Sequence, residues 1–536
     1  MRRTRVRVRV EFEDCDVRTA EGDAIGVVSP AGDGCFEIDF DASLDLDIDT
    51  NETALTRACS PALRDALRAR LAHVAKKRAL KAAGTVSRVV SCTPYPVDSE
   101  IGRFRIPTYE VQGARATVRT RDMFPPIRGK EYYPTKGFRE IALLDGTVDS
   151  SYRKTSRRIN RIRHQVEGGT PATTLHGISE EAGTKIIDSW TAEAKKTLAE
   201  NGFSADGTSL ADEKRVAELK NAVVEGTEHT AAEQLEAAKT VGIPYQFRES
   251  VKANAVPYDR PETVVDISVD AVLTKKQKES RNGDASEPAL AVSNDDTEGG
   301  QADNRTTAKK AKRKRRKVSD KVAKLRCDGI SYCMVASTYT LLFSIVLAFL
   351  LRNRLHGRVL CFFVDGERSL NNALLAAFSW HSRVRVILDW YHLTKKCADM
   401  LSRALNDTEI RRKHLSQMKH ILWYGAVDEA IAYLREIDSL HVKEQAAIET
   451  LVGYLVKHRE HIPCYAIRKQ LGLRNSSNSV EKANDELVSN RQKKHGMSWS
   501  KEGSVALAAL TAVNSNGHRR AWLDSGSIPL EFAEAA

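Results

Sequence analysis

Hydrophobic and polar residues alternate with a period of two through ETVVDISVDAVLTK, residues 262–275. Val265, Ile267 and Val269 share one face of this run, while Asp266 and Asp270 share the other. Such alternation predicts a strand that buries one face and carries acidic residues on the other. Asp270 lies nearer the end of the strand and is the preferred candidate for a functional carboxylate, with Asp266 as the alternative.

Two further acidic residues stand at the ends of predicted elements. The apolar run RVLCFFV is followed by Asp365 and Gly366, as expected of a buried strand that leads into a turn. Glu481 lies in the first turn of a late helix that Asn478 and Ser479 can cap. A lone carboxylate is most often a solvated or capping residue. These acids are candidates for a functional role only because each stands at the end of a predicted strand or the start of a predicted helix.

The order of the predicted elements indicates the fold class. Residues 262–388 read as three strands, a helix, a strand, a helix and a fifth strand. This is the order of an α/β ribonuclease H-like fold, in which the first and fourth strands lie side by side. That adjacency would bring Asp270 next to Asp365, and a later helix would add Glu481. Three carboxylates in one pocket suit two Mg²⁺ or Mn²⁺ ions about 4 Å apart, an arrangement that cuts and joins nucleic acid strands.

A long helical block separates the last two acids. Glu481 follows Asp365 by 116 positions, far more than a strand and a helix need. Residues 393–475 have helical periodicity almost throughout, which predicts an all-helical insertion between the fifth strand and the last catalytic helix. The catalytic core then covers residues 262–392 and 476–536.

The chain before the core divides into three parts. Residues 1–140 combine strand-like alternation with a helical stretch, which predicts an α+β region. Residues 141–200 contain a basic helix at 152–166, a break at Gly168 and Gly169, and the start of a second, short helix after Thr170. This pattern predicts a helix-turn-helix DNA-binding domain, with a solvated helical hairpin as the alternative. Residues 201–261 are predicted to be a helical linker.

The charge of the chain favours a nucleic acid partner. The 536 residues carry a formal net charge of +12, which favours binding to an acidic polymer. Residues 279–321 are predicted to form a mobile basic loop, because a polar segment there runs into KKAKRKRRKVSDK. A nuclear-import signal and a solvated charge run are the alternatives for that basic run. The candidate DNA-binding residues are Arg153, Arg157, Arg158, Arg161, Lys312, Arg313, Arg315, Arg316, Lys493 and Lys494.

Cysteine spacing and hydropathy exclude some classes of protein. The nine cysteines form no CxxC pair, which argues against a zinc ribbon, and their odd number without a signal peptide points to reduced thiols in the cytosol. Residues 334–351 carry no charge, but the truly apolar part, 341–351, is shorter than the roughly 20 residues that a bilayer requires. We therefore expect a buried helix there and no membrane partner.

Three segments together resemble the DDE transposases of bacterial insertion sequences, related to the Mutator-like group. They are VDGERSLNNALLAAF, VILDWYHLTKK and NSVEKANDELVSNRQKKHGMSWSKEGSVALAAL, and the resemblance covers about residues 264–516. It implies that Asp270, Asp365 and Glu481 form the metal-binding catalytic triad. Asp389 and His392 match an Asp/Cys-x-x-His element of Mutator-like enzymes and are implied to support catalysis, with a purely structural histidine as the alternative.

The resemblance implies an enzyme that binds the terminal inverted repeats of its element, cleaves the DNA and joins the freed 3′-OH ends to target DNA. Such an enzyme would act as a homo-oligomer on double-stranded DNA, in the cytoplasm and associated with the nucleoid. One departure from the family pattern, Ala271 where a glycine is frequent, leaves the choice between Asp266 and Asp270 open. The alternatives are a catalytically inactive transposase-derived DNA-binding protein and a ribonuclease H-like nuclease that acts on RNA or recombination junctions.

Overall fold

The structure is a computed structural model that divides into two compact units, Met1–Ala182 and Gly183–Ala536. It describes residues 3–10, 16–18, 24–27, 36–43, 48–84, 86–114, 116–126, 131–148, 151–165, 167–254, 256–277, 317–476, 478–494 and 497–533. Helices and strands occur in both units, so the chain is mixed α/β, as the sequence predicts.

The first unit begins with three small sheets and a long helix. Its strands are β1 (Arg3–Val10), β2 (Asp16–Arg18), β3 (Ala24–Val27), β4 (Phe36–Ser43), β5 (Ser87–Ser99), β6 (Gly102–Gly113), β7 (Thr117–Arg119) and β8 (Tyr133–Pro134). β1 pairs with β4 and β2 with β3, while the third sheet has the order β7-β6-β5-β8. Helix α1 (Ile48–Ala83) packs on this third sheet, because Ala79 and Ala83 are fully buried together with Val111 of β6.

Three helices follow these sheets: α2 (Lys136–Val148), α3 (Tyr152–Ile162) and α4 (Ala172–Glu200). The prediction of a short second helix after the glycine break is wrong, since α4 has 29 residues. No proline follows Pro171 within this stretch, and the next glycine with a left-handed conformation is Gly202, so the local sequence contains no earlier stop signal. The pair is therefore a short basic helix followed by a long one.

The connection between α3 and α4 is held by a buried arginine. Arg163 is only 5% exposed. Its guanidinium donates from Nη1 to the carbonyl oxygen of Ser99 at 2.7 Å and from Nη2 to Asn160 Oδ1 at 3.0 Å. The same Asn160 oxygen accepts from the backbone N–H of Thr170 at 2.9 Å. Arg163 therefore has a structural role, although the other arginines of this segment, such as Arg158 and Arg161, are solvent-exposed.

The second unit is built on a five-stranded sheet. Its strands are β9 (Val264–Lys275), β10 (Lys317–Cys327), β11 (Ile330–Ala336), β12 (Val359–Val364) and β13 (Val384–Leu388). Their order is β11-β10-β9-β12-β13. β10 is antiparallel to both of its neighbours, whereas β12 is parallel to β9 and β13. Every residue of β12 is buried, as expected for a parallel strand covered on both faces.

The start of β10 corrects one sequence prediction. Lys317–Lys321, predicted to belong to the mobile basic loop, are part of the strand. Val318 and Asp320 are buried and alternate with polar neighbours, which is the pattern of a strand covered on one face. The rest of that predicted loop lies outside the described residues, together with four candidate DNA-binding residues, Lys312, Arg313, Arg315 and Arg316.

Helices cover both faces of this sheet. Those before and between its strands are α5 (Glu213–Asn221), α6 (Ala231–Val241), α7 (Arg248–Ala253), α8 (Tyr339–Arg352) and α9 (Arg368–Phe378). α8 contains the uncharged segment that raises the question of a membrane span. Its side chains from Leu342 to Leu351 are all buried in the protein core. Within the described ranges, no helix has the length and apolar character that a membrane crossing requires.

After β13 the described chain is helical. A first group consists of α10 (Trp390–Ala404), α11 (Thr408–Trp423), α12 (Val427–Arg435), α13 (Gln445–Lys457) and α14 (Tyr465–Gln470). These helices share one apolar core with parts of β12 and β13. α15 (Asn478–Asn484) continues through a π-helical turn, Asp485–Ser489, and is followed by α16 (Lys501–Ser515) and α17 (Arg519–Ser525).

A buried polar contact fixes α16 to the sheet. The Ser504 hydroxyl of α16 lies 2.5 Å from Asp320 Oδ2 of β10 and 2.6 Å from Gln492 Oε1. All three side chains are buried. Burial raises the pKa of Asp320 to about 6, and the Ser504 hydrogen bond opposes that rise. In the β9–β10 register Asp320 pairs with Val272, two residues from Asp270, so α16 packs on the face of the sheet that carries Asp270.

Candidate active site

Three aspartates stand in one row at an edge of the central sheet. In the parallel pairing of β9 with β12, Ser268 lies opposite Phe363, and Val364 of β12 lies opposite Leu388 of β13. Two positions beyond the first pair come Asp270 and Asp365, and the residue after Leu388 is Asp389. Because the carboxyl ends of parallel strands meet at one edge, the register places these three residues next to each other.

Asp270 projects toward helix α15. Its Oδ2 accepts a hydrogen bond from Nδ2 of Asn484 at 2.6 Å, and its Oδ1 accepts from the backbone N–H of Ala271 at 2.7 Å. Burial raises the pKa of the Asp270 carboxyl; His392 and these hydrogen bonds oppose the rise, and the charge of Asp365 adds to it. The two carboxylates therefore lie close enough to repel each other.

Asp365 begins a turn that the helical segment after β13 holds in place. Its Oδ1 accepts from the backbone N–H of Glu367 at 2.8 Å, and its carbonyl oxygen accepts from the Tyr454 hydroxyl of α13 at 3.3 Å. Burial raises the pKa of Asp365, and the nearby charge of Glu367 adds to the rise. The next residue, Gly366, has a φ of 85°. A Cβ atom there would lie 2.9 Å from the ring of His458, so the turn accepts only glycine.

His392 lies in the first turn of α10, directly after the third aspartate of the row. Asp389, fully buried, caps α10 by accepting the His392 backbone N–H at 3.0 Å on Oδ1. An aspartate followed three residues later by histidine thus fixes the histidine in the first turn of this helix. His392 opposes the burial-driven rise in the pKa of Asp270, of Asp365 and of Glu481, so it lies near all three carboxyl groups.

Glu481 approaches the site from α15. Burial raises the pKa of this half-buried carboxyl, His392 opposes the rise, and the charges of Asp389 and Asp270 add to it. The three predicted catalytic acids and both predicted supporting residues therefore lie in one region of the second unit. Within the described part of the chain, no three His, Cys, Asp or Glu side chains are grouped closely enough to hold a metal ion in the arrangement seen. The site consists of the neighbouring residues Asp270 and Asp365, and Glu481 lies at its edge.

Asp266 belongs to a different environment. Its Oδ2 accepts from Nε of Arg474 at 3.0 Å. Burial raises the pKa of Asp266 to about 6, while Arg474, Arg468 and Arg326 oppose the rise. It pairs with Cys361 near the middle of β12, well before the strand ends that carry the acidic row. The geometry therefore selects Asp270 over Asp266 as the partner of Asp365.

The candidate DNA-binding residues are distributed over both units. Lys493 lies beside the site, where burial lowers its pKa and the charges of Asp270 and Asp485 oppose that change. Lys494 is exposed and donates to the Asn490 side chain of the preceding helical turn. On α3 of the first unit, four arginines are exposed: Arg153, Arg157, Arg158 and Arg161. Of these, Arg158 forms an ion pair with Asp145 at 2.7 Å.

Sequence reasoning missed several residues that shape the site. Asn484 could have been predicted, because it follows Glu481 by three positions and therefore lies on the same face of the helix. Nothing in the sequence predicts the roles of Tyr454 and His458. They lie about 90 residues after Asp365 and contact the backbone of its turn. Comparison with protein-family models, with curated proteins and with solved structures finds no match for this chain.

The Asp365–Gly366 turn yields a prediction for stability. Gly366→Ala should lower the free energy of unfolding by about 1–3 kcal/mol, because alanine disfavours the left-handed backbone and its Cβ would meet His458. Gly453→Ala is the matched control, since Gly453 lies within α13 with open space around it. That change should stabilise the protein by about 0.5–1 kcal/mol. Chemical denaturation followed by circular dichroism measures both; equal effects of the two variants would contradict the described turn.

A second prediction separates the two aspartates of β9. Asp270→Asn should abolish the metal-dependent DNA cleavage that the sequence leads us to expect, because Asp270 is the acid that lies beside Asp365. Asp266→Asn should leave most of the cleavage intact, because Asp266 pairs with Arg474 away from the acidic row. Initial cleavage rates of the two purified variants, measured side by side in Mg²⁺ and in Mn²⁺, make the comparison. Loss of activity in Asp266→Asn with retention in Asp270→Asn would reverse the assignment.

Proposed function

We propose that this protein is a DDE transposase that binds the ends of a mobile element and catalyses metal-dependent cleavage and transfer of DNA strands. The observation that carries the proposal is the placement of Asp270 and Asp365 side by side at the ends of two adjacent parallel strands. The strand order and directions of the central sheet support a ribonuclease H-like core, in which the first and fourth strands of the sheet are neighbours.

The donor set of the site fits a hard divalent cation. Asp270 and Asp365 are half-buried carboxylates that repel each other, and carboxylate oxygen is the ligand that Mg²⁺ and Mn²⁺ prefer. In the proposed enzyme these two residues hold the ions, with Glu481 contributing from the rim. Two such ions, when bound, activate the attacking oxygen and stabilise the leaving oxygen of a phosphodiester.

The protein's own groups orient this site. Asn484 fixes one oxygen of Asp270, the Glu367 amide fixes one oxygen of Asp365, and the capped first turn of α10 fixes His392. With both acids restrained, their remaining lone pairs are held in a defined geometry. In the proposed enzyme His392 contacts a phosphate oxygen, because its imidazole lies near the carboxylates and forms no ion pair with them within the described residues.

The DNA-binding surface of the proposal rests on charge. The exposed arginines of α3 form a cationic patch on the first unit, and Lys493 flanks the acidic row in the second unit. Double-stranded DNA is the partner, both as terminal inverted repeats and as target, and the protein acts on it as a homo-oligomer. A basic protein of this type associates with the nucleoid in the cytoplasm.

A second candidate function is that of a catalytically inactive, transposase-derived DNA-binding protein. The observation that favours it is the spacing of the acids. Asp270 and Asp365 are neighbours, but the described residues form no group of three that could hold a metal ion. This candidate predicts DNA binding without any metal-dependent cleavage. The same assay therefore decides between the two functions.

The catalytic prediction uses a plasmid that carries the gene together with its flanking DNA. Wild-type protein should cleave it at the element ends in Mg²⁺ or Mn²⁺. Asp365→Asn and Glu481→Gln should each abolish cleavage, because a neutral amide replaces an anionic ligand. Binding to the ends should remain. Glu449→Gln, which changes an exposed glutamate of α13, is the control and should cleave normally.

Three outcomes separate the alternatives. Binding without cleavage by the wild-type protein would favour the inactive DNA-binding protein. Cleavage at normal rates by Asp365→Asn would remove this residue from the site. Cleavage by Glu481→Gln alone would leave the aspartate pair in place and assign the third ligand to another residue.

The cationic face of α3 generates a prediction about salt dependence. Replacing Arg153, Arg157 and Arg161 together with alanine should flatten the plot of log affinity against log salt, by roughly 0.9 for each DNA phosphate that these arginines neutralise. The affinity of full-length protein for DNA is measured by fluorescence anisotropy between low and moderate salt. A control triple variant removes Arg215, Arg403 and Arg459, which form ion pairs with Glu218, Glu444 and Asp428. Equal slopes for the α3 variant and the control would exclude this helix from the DNA interface.

A further inference from the structure

A lysine lies on the side of the acidic row opposite to Asn484. In the β9–β10 register Val322 lies opposite Asp270, and Lys321 lies opposite Ala271. Since successive side chains of a strand point to opposite faces, Lys321 belongs to the face of the sheet that α8 and α9 cover. Its ammonium lies 4.3 Å from the centroid of the Tyr339 ring, at the start of α8.

The acids around Lys321 are already engaged with other donors. Glu367 Oε2 accepts from the Tyr339 hydroxyl at 2.8 Å, and its Oε1 accepts from the Ser369 hydroxyl at 2.6 Å. The charges of Glu367, Asp365 and Asp270 nevertheless act on the Lys321 ammonium, so the lysine faces the rim of the acidic row. The Lys321 ammonium group is therefore close to Asp270 and Asp365 but forms no direct ion pair with either.

The hydrogen bonds of Lys321 leave capacity for a ligand. Across the described residues, its ammonium makes one hydrogen bond, to the Ser319 hydroxyl at 2.9 Å, and no ion pair. An ammonium has three donors. A lysine that served only as a counter-ion for the buried acids would be expected to pair with a carboxylate directly, since the pair offsets the cost of burying both charges. The contact with the Tyr339 face instead holds the cation in place.

We propose that Lys321 binds a phosphate oxygen of the DNA strand that reacts at Asp270 and Asp365. This inference rests on the proposed function and adds a substrate-binding residue to it. A phosphodiester that approaches two buried carboxylates is repelled by their charge, and a cation fixed at the rim offsets that repulsion for one non-bridging oxygen. The charge of Asp270 also acts on the ammonium group of Lys493, which follows the helical segment of Asn484. Two lysines therefore lie near the acidic row, which suits the binding of a DNA strand there.

The first experiment measures steady-state cleavage of the plasmid that carries the gene and its flanking DNA. Lys321→Met keeps the length of the side chain and removes its charge, so KM for DNA should rise by about tenfold or more. Lys321→Arg keeps the charge and should recover most of the affinity. Lys239→Met is the control for loss of one positive charge, since Lys239 is exposed on α6 and pairs with Glu236 at 3.6 Å. Its KM should equal that of the wild-type protein.

The second experiment measures the phosphate interaction without cleavage. Affinities are measured in the Asp365→Asn background for an end-bearing duplex and for the same duplex with a neutral methylphosphonate at the cleavage position. The methylphosphonate should weaken binding when Lys321 is present and have no effect in the Lys321→Met background, because the two changes remove the same interaction. Thermal denaturation of each variant shows whether it is folded.

The outcomes distinguish this inference from the function on which it rests. If wild-type protein cleaves and Lys321→Met has an unchanged KM, the inference is overturned and the proposed function stands. If methylphosphonate weakens binding equally with and without Lys321, the phosphate is bound by another residue. If the wild-type protein does not cleave under any metal condition, the proposed function and the role of Lys321 both fail.

Discussion

The parallel pairing of β9 with β12 is the constraint on which the candidate site depends. It places two carboxylates, Asp270 and Asp365, side by side in a half-buried position. Two like charges in such a position destabilise a folded protein unless neighbouring dipoles and cations compensate. Here the compensation comes from the Asn484 amide, from backbone N–H groups, and from His392. The groups around this pair oppose the rise in its pKa and hold the side chains in place.

The helices after β13 support the same edge of the sheet. The Tyr465 hydroxyl of α14 donates to the carbonyl oxygen of Leu388 at 2.7 Å, where β13 ends. The Trp390 ring packs against Trp423 and Tyr465, with ring centroids 4.9 Å apart in both contacts. Together with the contacts of Tyr454 and His458 to the Asp365 turn, these interactions connect the core of the helical group to the ends of β12 and β13. Substitutions in that core are therefore expected to shift the backbone that positions Asp365 and Asp389.

Local patterns are sufficient to predict the elements that deliver the acids. The alternation around Asp270 and the apolar run before Asp365 each correspond to a strand of the structure. The choice between Asp266 and Asp270 cannot be made from alternation, because both residues share one face of the strand. It requires the register with β12 and the ion pair with Arg474, which comes from a segment about 200 positions away. Pairing across such a distance leaves no local trace in the sequence.

The remaining differences have physical causes of the same kind. The density of positive charge predicts that the helix before the glycine break is basic throughout. It does not distinguish Arg163, whose side chain is buried and stabilises the connection between α3 and α4. The strand β10 starts earlier than the sequence predicts, because its first residues continue a run of lysines and arginines. Burial of Val318 and Asp320 against the rest of the sheet determines where it begins. Lys321 belongs by sequence to that basic run, although it lies at the rim of the acidic row.

The central claim, that Asp270 and Asp365 jointly bind a divalent cation, is tested most directly by anomalous diffraction from crystals soaked in Mn²⁺. The account predicts an anomalous peak bridging the two carboxylates, about 2.1–2.2 Å from one oxygen of each residue, and no peak there in Asp365→Asn crystals. A well-diffracting wild-type crystal with no peak between the two acids at saturating Mn²⁺, or a peak that persists unchanged in Asp365→Asn, would contradict it.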